Sequence, residues 1–100
     1  MGQSVILKEE EAGALGVVET FGGTAILAAA DVAAKASRVT IFRIHVAMAV
    51  GGKGLCLMTG TVADVRAGVQ AAAEEARRRG LLVSEIVIPR PSPELFSDYL

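Results

Sequence analysis

Residues 38–48 (RVTIFRIHVAM), the loop 49–54 (AVGGKG) and residues 55–59 (LCLMT) together decide the fold. The first run is rich in β-branched and aromatic residues and reads as a strand. Its alternation changes phase. Val39 and Ile41 face one way by count, and then Ile44, Val46 and Met48 take over. A bulge or bend near Phe42 and Arg43 would account for the break. The glycine-rich loop then returns the chain as residues 55–59, so the centre of the sequence is a β-hairpin.

The flanks of the hairpin mirror each other. Upstream, residues 14–20 (ALGVVET) form a short β-branched run read as a buried strand, and Phe21, Gly22 and Gly23 read as a turn. Thr24 is placed to cap a helix running to about Ala36. That helix carries only Asp31 and Lys35 as charges and is otherwise apolar nearly all round, so it must be buried on more than one side. In a small domain the second side is most economically another subunit. Downstream, Thr61 and Asp64 open a second helix with a cap and an acid in its first turn. Val62, Val65, Val69, Ala72, Ala73 and Ala76 follow at helical spacing, Arg77, Arg78 and Arg79 suit its C-terminal end, and Gly80 stops it. Residues 82–88 (LVSEIVI) are the last strand. Pro89, Pro91 and Pro93 then turn the chain out of the ladder. The order β-α-β-β-α-β predicts an α+β, ferredoxin-like domain with an antiparallel sheet and both helices on one face.

One hundred residues suffice for one core, burying roughly 60–65% of the unfolded surface. Residues 13–93 are read as the domain, 1–12 as an N-terminal arm and 94–100 as a C-terminal tail. The composition is 52% hydrophobic, mostly Ala, Val, Leu and Ile, which predicts apolar surface shared with other chains. The formal net charge of −1 argues against a nucleic-acid partner. Phe21, Phe42, Phe96 and Tyr99 are the only aromatics, too few for base stacking. The start, MGQSVILKEEE, lacks a secretory signal pattern. The longest apolar stretch, residues 44–62, is interrupted by His45, Lys53 and four glycines, so no membrane span is expected.

Chemistry-bearing residues are sparse. Cys56 is the only cysteine and His45 the only histidine, which excludes an intrachain disulfide and a single-chain zinc site. His45 reads as a structural histidine, with pore lining or subunit contact as the alternative. Glu19 and Asp31 do not read as a catalytic pair, because one ends a strand and the other lies within a helix. No nucleophile–base pair can be assembled, so an enzyme is not expected. No Ser or Thr follows Lys53 at the head of a helix, which removes the phosphate-binding loop reading.

Four stretches carry a family likeness: LGVVET (15–20), AAADVAAK (28–35), GTVADV (60–65) and VIPRP (87–91). In this order and spacing they resemble the shell-protein domain of bacterial microcompartments. The likeness is to the single-domain hexamer type. The central region is most similar to the second half of the tandem-domain shell proteins of propanediol-utilising compartments, through Arg43, Ile44 and His45 followed by Gly51, Gly52 and Lys53.

The resemblance implies a structural protein in the shell of a cytoplasmic compartment. It implies a cyclic homohexamer that tiles with itself and with other shell proteins around enzymes and passes small metabolites through a central pore. Lys35 matches the family's tile-edge lysine, with a simple ion pair to Asp31 as the alternative. Arg90 matches the arginine of the family's Pro-Arg-Pro turn at the same edge, with a solvated loop arginine as the alternative. Ser92 stands where the family usually has histidine.

Val50, Gly51, Gly52, Lys53 and Gly54 occupy the pore-loop region. The loop is longer than usual there, which leaves open a wider, occluded or gated pore. Six axial Lys53 side chains would form a cationic ring favouring anionic or polar metabolites. Some family members hold an iron–sulfur cluster on pore-loop cysteines. Here Cys56 lies in the returning strand in phase with Met58, so it reads as a core residue, and neither a metal nor another cofactor is expected. A small-ligand-binding regulatory domain of ferredoxin-like fold is the alternative function.

Overall fold

The computed structural model describes residues 13–47, 52–92 and 94. Six elements follow in order: β1 (Ala14–Phe21), α1 (Gly23–Ala36), β2 (Thr40–Ala47), β3 (Lys53–Gly60), α2 (Val62–Arg78) and β4 (Leu82–Ile88). The strands form one sheet in the order β2-β3-β1-β4, and every neighbouring pair is antiparallel. This is the expected α+β arrangement. Among the described residues no helix is long and apolar enough to cross a membrane.

Register assigns the faces. Gly16 lies opposite Met58 and Val18 opposite Cys56. Val18, Cys56 and Met58 meet Ile26, Ala29, Ala30 and Ala33 of α1 and Val65, Val69 and Ala72 of α2 in the larger core. Side chains pointing the other way form a second cluster of Leu15, Val17 and Leu57, flanked by Phe42, Leu55 and Ile88. We call this second side the far face. Leu15 and Leu57 are fully buried on it.

The phase break in β2 is a bulge. The β2–β3 register shifts between Ile41 and Arg43, which keeps Ile41 opposite Met58, Ile44 opposite Cys56 and Val46 opposite Gly54. All three therefore lie on the helix side, while Phe42 joins the far-face cluster.

Two local expectations change. Thr24 does not cap α1. The helix begins at Gly23, Gly22 holds the N-cap position at φ 84°, and no side chain caps it. The turn out of β1 needs a positive φ, which glycine adopts without a Cβ penalty, so the helix starts before Thr24 is reached. Phe21 belongs to β1 and not to the turn, its N–H donating to the Leu81 carbonyl at 2.8 Å. Helix α1 is not fully covered within the chain, since Leu27 is 56% exposed. Its buried residues Ala25, Ile26, Ala29, Ala30 and Ala33 meet the sheet and α2 of the same chain.

The start of α2 follows the sequence closely. The Thr61 hydroxyl accepts from the Asp64 N–H at 3.1 Å and donates to the Asp64 carboxylate at 3.0 Å. At the other end Gly80 takes φ 71°, and the Leu81 N–H reaches back to the Ala76 carbonyl at 2.9 Å.

Candidate functional site

The predicted pore loop is only partly loop. Lys53 and Gly54 open β3, because the ladder continues to them from both sides: Lys53 lies opposite Phe21 of β1 and Ala47 of β2. Gly52 precedes the strand, and its carbonyl accepts from the Gly22 N–H at 2.9 Å. The Thr20 hydroxyl donates to the Gly22 carbonyl at 3.1 Å. The returning stem is thus tied to the turn between β1 and α1. Val50 and Gly51 lie outside the described residues.

Lys53 and Glu19 are diagonal neighbours on the far face, since Glu19 lies opposite Leu55. The Lys53 Nζ sits 3.9 Å from Glu19 Oε2. The other carboxylate oxygen accepts from the Ser84 hydroxyl of β4 at 3.3 Å. The sequence reading placed Glu19 at the end of a strand and missed this contact. The available signal was alternation: Leu15, Val17 and Glu19 share a face, so an acid follows two buried aliphatic residues on it.

The two edge candidates lie elsewhere. Lys35, in the last turn of α1, pairs with Asp31 at 2.9 Å, and both side chains are exposed. Such a pair contributes about 0–1 kcal/mol, so the fold does not depend on it. Arg90 follows β4 in an exposed bend. Ile88, just before that bend, lies opposite Leu15 at the start of β1, whereas Lys53 lies opposite Phe21 at its end. At about 3.3 Å per residue, the stem and the Pro-Arg-Pro turn are about 20 Å apart along the strand. Helix α1 runs away from the stem for 14 residues, which carries Lys35 toward the Arg90 end.

Cys56 is fully buried beside Val18 and Ile44. Burial pushes its thiol up to about 11, so it stays protonated near neutral pH. Among the described residues no three His, Cys, Asp or Glu side chains are grouped to hold a metal. His45 is exposed on the far face of the outer strand β2, opposite Leu55, and is not packed into the core as a structural histidine would be.

Comparison with known proteins places these features in context. Residues 14–91 match the family model of the BMC domain. The chain is 46% identical over 83 residues to the bacterial microcompartment shell protein PduT of Citrobacter freundii, covering 83% of this chain and 45% of that protein. It is 43% identical over 84 residues to the shell protein EutM of Salmonella typhimurium, covering 82% of this chain and 83% of that one. A solved microcompartment protein from Desulfitobacterium hafniense superposes with a TM-score of 0.79 at 41% identity, over 85% of this chain and 47% of that chain. The chain therefore spans about half the length of PduT and of this structural neighbour, and most of EutM.

Proposed function

Because the chain belongs to the BMC-domain family, we propose that it is a structural shell protein of a bacterial microcompartment, acting as a cyclic homohexameric tile and not as an enzyme. The family match across residues 14–91 is the observation that carries this reading. Its partners are copies of itself, other shell proteins and the enclosed enzymes. Small metabolites cross at the ring axis, lined by the loop that ends in Gly52, Lys53 and Gly54. Lys35 and Arg90 meet the neighbouring tile.

The geometry supports this division of labour. The loop stem lies at one end of the sheet, and both edge candidates lie toward the other. One end can then face the axis while the other faces the rim. Native mass spectrometry with negative-stain imaging tests the reading. Six subunits and hexagonal sheets at high concentration are expected. A dimer that never grows further would overturn the tile and favour a ligand-binding module.

A further inference from the structure

We propose that Glu19 is a specificity-determining residue of the pore rim: it holds the Lys53 ammonium against the far face of the sheet, so each subunit offers passing solutes a lysine–glutamate pair and not a free cation. The proposal rests on the reading of residues 50–54 as the pore loop.

Three observations carry it. First, among the described residues Glu19 is the one carboxylate that register places on the far face of the strands. The other titratable groups on that face are Lys53 of β3 and Arg43 and His45 of β2, and β4 contributes Ser84. Second, the two carboxylate oxygens have separate partners. Oε1 accepts from Ser84 and Oε2 faces Lys53. Ser84 therefore orients the carboxylate, and the Glu19 side chain is less exposed than the lysine it meets, 31% against 57%. Third, the backbone beneath Lys53 is fixed. Phe21 is its ladder partner, Gly22 holds Gly52, and Gly54 packs directly on Ile26. With the stem pinned to the element that carries Glu19, the amine has a short, defined reach to the carboxylate.

The consequence is electrostatic. A ring of free lysines would attract anions, whereas a ring of pairs carries no net charge from these positions and selects for polar, weakly charged solutes. Replacing Glu19 by glutamine preserves the shape and the acceptor for Ser84, and it releases the cation.

The test uses the full chain as wild type, Glu19→Gln, Lys53→Gln and the double variant. Inorganic phosphate is the probe, titrated calorimetrically into the assembled protein. The ¹³Cε resonance of Lys53 is followed against pH and assigned by its loss in Lys53→Gln. Glu19→Gln is expected to bind phosphate about two- to fivefold more tightly than wild type, the size an exposed ion pair carries. Lys53→Gln should bind more weakly than wild type, and the double variant should recover part of that loss because it also removes the bare carboxylate. The Lys53 resonance should show an inflection from the Glu19 carboxylate that disappears in Glu19→Gln. If Glu19→Gln binds like wild type while Lys53→Gln binds less, the pore reading stands and the role of Glu19 is overturned. A Lys53 resonance without that inflection overturns the pair itself. If the inflection is present but no variant changes phosphate affinity, the pair is real and the pore reading fails, taking the proposal with it.

Discussion

Gly54 of β3 lies so close beneath Ile26 of α1 that a Cβ on it would fall 2.5 Å from both Cβ and Cγ2 of Ile26. Ile26 is fully buried and cannot swing aside. Gly54→Ala must therefore push α1 away from the sheet or displace the start of β3. The expected cost is about 1–3 kcal/mol, the range for overpacking a filled core. Urea denaturation of the isolated variant checks this. A change below about 0.5 kcal/mol, the size of a neutral surface substitution, would show that the contact relaxes freely.

Under the proposed tile-edge role, replacing Lys35 should separate folding from assembly. Its ion pair with Asp31 is exposed at both ends, so Lys35→Ala should leave urea stability within about 0.5 kcal/mol of wild type. The oligomer mass should also be unchanged, while hexagonal sheets should fail to form at concentrations where the wild type forms them. Sheets of normal extent in the variant would return Lys35 to a plain surface residue.

These two residues also show what the sequence could convey. The order of elements, the Thr61 cap and the stop at Gly80 were legible because each depends on neighbours within a few positions. The bulge was legible because Ile41 and Ile44 cannot share a face at period two without one. Other features depend on register, which local pattern leaves open. Lys53 and Gly54 read as loop, yet pairing on both sides extends β3 to include them. The meeting of Glu19 with Lys53 and Ser84 requires knowing that β1 lies between β3 and β4. The packing of α1 against α2 likewise depends on tertiary placement that local pattern leaves open. For the pore and edge, family likeness supplied the candidates, and the fold added their separation to opposite ends of the sheet.

Acid should weaken the end of α2. The Arg79 guanidinium donates to the Glu75 carboxylate at 2.8 Å, and Arg78 engages the other oxygen. The hydrogen bond from Arg79, with the positive charge of both arginines, holds the Glu75 carboxyl below its usual 4.5. A depressed carboxyl stabilises the fold above the unfolded value and loses that contribution as pH falls from about 4.5 through the lower folded value. Glu75→Gln should therefore flatten the decline in urea stability below pH 4.5 relative to wild type. Parallel curves for the two proteins would mean that the arginines do not favour the ionised form.

Cys56 provides a check on the core and on cofactor chemistry together. A thiol buried among Val18, Ile44 and the α1 helix is shielded from solvent, and its elevated value near 11 leaves almost no thiolate at pH 8. Only the thiolate attacks a disulfide reagent, so native protein should react with an aromatic disulfide at least about 100-fold more slowly than urea-unfolded protein. The native rate should rise with sub-denaturing urea, because reaction then requires opening of β3 from α1. By the same chemistry, incubation with ferrous iron and sulfide under reducing conditions should leave the visible spectrum of the folded oligomer featureless. A native thiol that reacts as fast as the unfolded one would place Cys56 within reach of solvent and reopen it as a ligand near the ring axis.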